Sequence, residues 1–228
     1  MIGVKNIYKA EDIKFADYFR SKQQALIDDF LKVNPNWAIP GGEYDKATQY
    51  LDDYGKLGDH MRHTLVNNPG GWNLVGIKRL MTKTLVEERR EIYPTVFEIA
   101  DFFGRNCTAM SYSTFEPNTI LRRHTGGENR DGLNVRIHVP LIIPEGDIGL
   151  EVWGEEVHWE DIFGFDNQKS HSAWNLTPQR RLVLIIDLLR SHCGIEDSPE
   201  WYPGCNDNAP PFPKTAVEGE VWANTKQG

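Results

Sequence analysis

Two hydropathy textures divide this chain. From Ala10 to Val33, apolar residues recur at Ile13, Phe15, Ala16, Phe19, Ala25, Leu26, Phe30 and Leu31, with charge on the opposite side. That spacing predicts an amphipathic helix, ended by Asn34-Pro35-Asn36. Ile39 to Gly42 reads as a loop, Lys46 to Tyr54 as a short helix and Asn67 to Gly71 as a turn cluster. Thr84 to Arg90 reads as helical, and Pro94 suits the first turn of a helix that runs to Phe103 and closes at Gly104. The first hundred residues are therefore expected to be mainly helical.

From Cys107 the pattern changes to short apolar runs separated by turn residues. Eight strands are predicted: Thr108 to Phe115, Thr119 to His124, Asn134 to Ile143, Ile148 to Trp153, Glu155 to Trp159, Ile162 to Asp166, His171 to Leu176, and Arg181 to Leu189. Glu116-Pro117-Asn118, Gly126-Gly127, Pro144-Glu145-Gly146, Gly154 and Thr177-Pro178 separate them. Eight short antiparallel strands make a sandwich or barrel. Leu182 to Ile186 is apolar throughout and is expected to be buried on both faces. After Ser191, five prolines (Pro199, Pro203, Pro210, Pro211 and Pro213) mark a tail expected to wrap the surface or cap the barrel mouth.

At 228 residues the chain suits one domain. Three parts are expected within it: a mainly helical region 1–106, a β core 107–190 and a Pro-rich tail 191–228. The class is mainly β with N-terminal helices, α+β. A net charge of -8 argues against non-specific nucleic-acid or anionic-membrane binding. No run approaches the roughly 20 apolar residues of a membrane helix, and no signal peptide is read at the N-terminus. A cytoplasmic protein is expected. Cys107, Cys193 and Cys205 match no zinc spacing and read as free thiols, with a Cys193–Cys205 pair as the alternative.

The chemistry-bearing residues cluster between Ser113 and Asp187. His124 and His171 are candidate metal ligands, since neutral imidazole suits Fe(II). Each histidine alone reads first as a surface or hydrogen-bonded residue. Arg181, ten residues after His171, opens the most apolar strand. Buried there, it would need an anion, and a carboxylate would fit its fork; at the surface it would only cap the strand. On period-2 logic Arg122 shares a face with His124, and Arg136 with His138. The alternative is that Arg136 and His138 face solvent while Val135, Ile137 and Val139 face the core. Trp153 and Trp174 read as packing residues.

These residues carry a resemblance. The run Ser113-Thr-Phe-Glu-Pro-Asn-Thr, His124-Thr-Gly, Arg136-Ile-His138, Pro140 to Gly146, Phe165-Asp166, His171-Ser-Ala-Trp-Asn and Arg181 to Asp187 resembles the aspartyl/asparaginyl β-hydroxylase family. The resemblance covers about a third of the chain. It implies a double-stranded β-helix, the cupin-like jelly roll, and an Fe(II)- and 2-oxoglutarate-dependent dioxygenase using O2. It implies His124 and His171 as iron ligands, and Arg181 with Ser113 on the distal carboxylate of 2-oxoglutarate. Arg136 and His138 would lie at its chelating end. Gly126 stands where many such oxygenases carry a carboxylate ligand, so a halogenase remains an alternative to a hydroxylase. The expected substrate is an amino acid, an amino-acid derivative or a short Asp- or Asn-containing peptide, with Arg122 a candidate for its carboxylate. A non-catalytic cupin-like binding module and a metal-dependent isomerase are the other readings.

Overall fold

The computed structural model describes residues 5–39, 41–44, 65–68, 70–80, 82–126 and 133–195. The expected helix at Lys46 to Tyr54, Cys205, and the tail beyond Ile195 lie outside them. Strand β1 spans Ile7–Lys9, helix α1 Ala16–Val33 and strand β2 Trp72–Lys78. Helix α2, Pro94–Phe103, has Pro at its start and ends at Gly104, whose φ of 51° favours a residue without Cβ. Eight strands follow: β3 Cys107–Phe115, β4 Thr119–His124, β5 Asn134–Ile142, β6 Ile148–Val152, β7 Glu155–Val157, β8 Phe163–Phe165, β9 His171–Asn175 and β10 Arg181–Leu189. Each coincides with an expected strand to within three residues at either end.

The strands form two sheets, ordered β1-β8-β5-β10-β3-β2 and β4-β9-β6-β7, with every pairing antiparallel. From β3 to β10 the chain alternates between the sheets, apart from the β6–β7 hairpin. That winding is a double-stranded β-helix. The expected fold class holds.

The helical reading of the first hundred residues missed two strands. β1 adds to β8 at one edge of the larger sheet, and β2 adds to β3 at the other. In β2 all seven residues are buried. With both faces covered there is no apolar–polar alternation to reveal a strand. Thr84 to Arg90 is not an α-helix: Leu85 bridges to Lys78, and only Glu87–Arg89 makes a single 3-10 turn.

Two cores follow from the layering. α1 buries Phe19, Leu26 and Phe30, and α2 buries Val96, Phe97, Ile99, Ala100 and Phe103, against the outer face of the larger sheet. Val135, Ile137 and Val139 of β5 and Leu182, Leu184, Ile186 and Leu188 of β10 belong to this core. The second core lies between the sheets and includes Trp72, Phe115, Leu121, Leu150, Phe165, Ala173 and Val183. At roughly 25 cal/mol per Å² of apolar area removed from water, these layers are the main driving term for folding. Cys107 and Cys193 are buried free thiols.

Candidate active site

A cavity of about 370 Å³, counting its opening, lies between the sheets. It is lined by Trp72, Ser113, His124, Arg136, His138, His171 and Arg181, with apolar residues between them. Of the sequence-predicted site residues only Arg122 is missing from this lining. The reason is a β-bulge. Leu121 pairs with Ala173, and His124 pairs with His171, so β4 spends three steps where β9 spends two. Leu121, not Arg122, therefore shares the inner face with His124. The Arg122 side chain is displaced from that face, while its backbone carbonyl accepts from the ring of His124.

His124 and His171 oppose each other across the β4–β9 ladder with ring centroids 4.2 Å apart. Nδ1 of His124 donates to the Arg122 carbonyl and Nδ1 of His171 to the Lys169 carbonyl, each at 2.8 Å. A carbonyl can only accept, so each Nδ1 carries the hydrogen and each Nε2 keeps its lone pair. Burial holds both rings in the neutral form: His124 is lowered to about 4 and His171 lies well below 6.5. Two neutral imidazoles with free Nε2 lone pairs fit a metal ion, with backbone carbonyls as the outer partners that orient them. Among the described residues no group of three or more His, Cys, Asp or Glu side chains is placed to hold a metal. The turn before β9 holds the pair together: Gly126 N–H donates to the Asn167 carbonyl at 2.6 Å, and Lys169 N–H to that of Asp166 at 3.0 Å.

Arg181 is 1% exposed. Its Nη2 donates to Ser113 Oγ at 2.9 Å, and its Cζ lies 4.0 Å from the Phe115 ring centroid and 4.8 Å from that of Trp159. Its Nε is buried without a hydrogen-bond partner among the described residues. No carboxylate pairs with it among the described residues, and desolvation alone pulls it down to about 9. A guanidinium left in that state can take an anion. Ser113 Oγ also accepts from Trp72 Nε1 at 3.1 Å, which leaves its own hydrogen for a third partner. The surface alternative for Arg181 fails; its neighbour Arg180 instead pairs with Glu116 at 2.8 Å.

Arg136 and His138 also face the cavity, because the helical layer covers the opposite face of β5. Arg136 stands opposite Asp187 and holds it in a fork, Nε to Oδ1 and Nη2 to Oδ2, both 2.8 Å. His138 accepts at Nδ1 from Trp159 Nε1 at 3.1 Å. Sequence reasoning did not assign Asp187, Trp72 or Trp159 to the site. A signal existed for Asp187, which shares the period-2 face of Arg181 on β10; none existed for Trp159, whose loop placement no periodicity reports. Trp174 packs outside, over Gly149, with Nε1 donating to Asp147 at 2.7 Å.

The profile of the aspartyl/asparaginyl beta-hydroxylase family matches residues 31–191. The chain belongs to this family. The ornithine lipid ester-linked acyl 2-hydroxylase of Rhizobium tropici is 34% identical over 87 residues, which are 36% of this chain and 30% of that relative. The match thus spans under a third of that protein's length. Among solved structures, the cupin domain of an XRE-family transcriptional regulator from Enterobacter cloacae aligns at 9% identity and a TM-score of 0.33, over 52% of this chain and 96% of that one. A recombinant oxalate oxidase in complex with glycolate aligns at 10% identity and a TM-score of 0.33, over 54% of each chain. Likeness at that level says nothing of activity. No helix among the described residues is long and apolar enough to cross a membrane.

Proposed function

We propose that this member of the hydroxylase family is an Fe(II)- and 2-oxoglutarate-dependent dioxygenase. It hydroxylates a C–H bond of an amino acid, an amino-acid derivative or a short Asp- or Asn-containing peptide. The observation that carries this reading is one cavity holding two kinds of unmet demand. The opposed His124 and His171 offer two nitrogen lone pairs, and the buried guanidinium of Arg181 has no carboxylate partner among the described residues.

His124 and His171 would hold Fe(II) through Nε2. Arg181 and Ser113 would take the distal carboxylate of 2-oxoglutarate, and His138 and Arg136 would flank its chelating end. When bound, the iron and 2-oxoglutarate supply the oxidising power that turns C–H into C–OH, with succinate and CO2 as by-products. The chain's own part is positioning. The Phe115 and Trp159 faces keep water from Arg181, and a dry site strengthens its attraction for a carboxylate. Asp187 holds the Arg136 fork in one orientation.

An acyl chain is a second reading of the substrate. The relative from Rhizobium tropici is named for hydroxylating an acyl group, and Leu121, Leu150, Phe165 and Ala173 of the main cavity's lining would face such a chain.

The test is succinate formation from 2-oxoglutarate with Fe(II), ascorbate and O2, across amino acids, Asp- and Asn-containing peptides and N-acyl amino acids. Iron-dependent turnover that rises with one substrate supports the reading, and a product mass gain of one oxygen separates hydroxylation from chlorination. Absence of both turnover and Fe(II)-dependent 2-oxoglutarate binding sinks it.

A further inference from the structure

The cavity contains a third histidine whose two nitrogens are treated differently from those of the opposed pair. His124 and His171 give their Nδ1 hydrogens to backbone carbonyls. His138 instead receives a hydrogen at Nδ1. The giver, Trp159 Nε1, is 3.1 Å away, and the two ring planes are nearly parallel, 11° apart with centroids at 6.1 Å. An indole N–H lies in its own ring plane, and a bond of this length to a ring nitrogen is one that the nitrogen's lone pair accepts. An indole N–H can only donate, so His138 Nδ1 must be the bare nitrogen and Nε2 must carry the hydrogen. His138 Nε2 is buried and has no hydrogen-bond partner among the described residues.

Trp159 sits in the β7–β8 connection and is itself buried. Its ring face lies over Arg181, Cζ 4.8 Å from the centroid, while its edge meets His138. One side chain thus touches both Arg181 and His138. A nitrogen that carries a hydrogen cannot ligate a metal, whereas it can donate to an oxygen.

We propose that Trp159 is a positioning residue that sets the tautomer of His138. By donating to Nδ1 it keeps His138 from acting as a metal ligand. It also makes His138 an uncharged, fixed donor for an oxygen of the bound co-substrate. An unfilled buried donor is costly, so the site favours a ligand that brings an acceptor to it. The role in co-substrate binding rests on the oxygenase reading above; the tautomer does not.

The two are tested separately. Long-range proton–nitrogen correlation spectra of metal-free, ¹⁵N-histidine-labelled protein read tautomers directly, and His138→Gln identifies the His138 signals among the seven histidines. The wild-type protein should show His138 protonated at Nε2, opposite to His124 and His171. Finding it protonated at Nδ1 overturns the proposal, with no variant required. In Trp159→Phe the His138 signals should move toward a mixture of tautomers; an unchanged Nε2–H form in the folded variant overturns it as well.

For the co-substrate role, Trp159→Phe should raise the 2-oxoglutarate KM about tenfold with kcat within about twofold, the loss of one donor to a charged group. A glutamine amide supplies a donor whichever way the indole is changed. In the His138→Gln background, Trp159→Phe should therefore cost little further affinity, measured calorimetrically with Zn(II) in place of iron. Fully multiplicative effects overturn the coupling. If wild-type protein binds no 2-oxoglutarate, the oxygenase reading fails while the nitrogen spectra still decide the tautomer.

Discussion

His124 and His171 are direct partners across the β4–β9 ladder, 4.2 Å between ring centroids, and both spend their Nδ1 hydrogens on backbone carbonyls. The pairing is a property of backbone register, so the two Nε2 atoms are presented before any metal arrives. His171→Ala removes one of two nitrogen donors. It should lower divalent-metal affinity by more than the ~10–100-fold typical of losing an outer partner. Titration with Mn(II) followed by paramagnetic resonance measures this, and undiminished affinity would remove His171 from the metal site.

Arg181 makes a different prediction because it has no counter-charge among the described residues. Arg181→Met fills the space with an apolar chain and removes an unpaired buried cation. The folded protein should be no less stable, or slightly more so, in chemical denaturation. Affinity for 2-oxoglutarate should fall about 100-fold or more, since a buried charge pair loses one member. Destabilisation with affinity intact would mean that Arg181 serves the fold instead.

The Arg136–Asp187 pair should behave in the opposite way. Both side chains are buried and joined by two bonds of 2.8 Å. Asp187→Ala leaves the guanidinium without that partner and should cost ~3–5 kcal/mol of stability. The double variant Arg136→Met, Asp187→Leu should recover most of that loss. Urea unfolding of all three proteins measures it, and additive losses would argue against a coupled pair.

Acid should destabilise the metal-free protein through its buried histidines. His124 is held to about 4, and His138 and His171 lie well below 6.5, in each case chiefly by desolvation. The unfolded chain takes up protons near pH 6.5 that the folded state refuses. Stability is therefore full above that value and falls as pH drops from about 6.5 toward 4, by up to ~1.4 kcal/mol per pH unit for each histidine. Urea midpoints at pH 7.5, 6 and 5 report the slope. His138→Gln should make it shallower, and an unchanged slope would mean that His138 is not held neutral by the fold.

How much of this was legible from residues alone depended on what each face meets. The strands from β3 to β10 were readable because Pro, Gly and Asn punctuate them. β2 was not, because Trp72 to Lys78 is covered on both sides and shows no alternation. His124, His171 and Arg181 were readable through their order and spacing, which echo a family pattern. Arg122 was misplaced because period 2 assumes an unbroken ladder, and the extra residue between Leu121 and His124 breaks it. Trp159 and Asp187 act through partners distant in sequence, His138 and Arg136, and only folding brings those together.

β10 has no outside. Its even-numbered residues from Leu182 to Leu188 fill the core beneath the helices, while Arg181, Val183, Ile185 and Asp187 belong to the space between the sheets. The strand is a party wall one residue thick. Pressure on one side, such as a bulkier residue at Leu184, must be felt on the other within a single peptide unit. Variants chosen only for better helix packing should therefore alter the cavity, and its lining cannot drift in sequence independently of the scaffold that carries it.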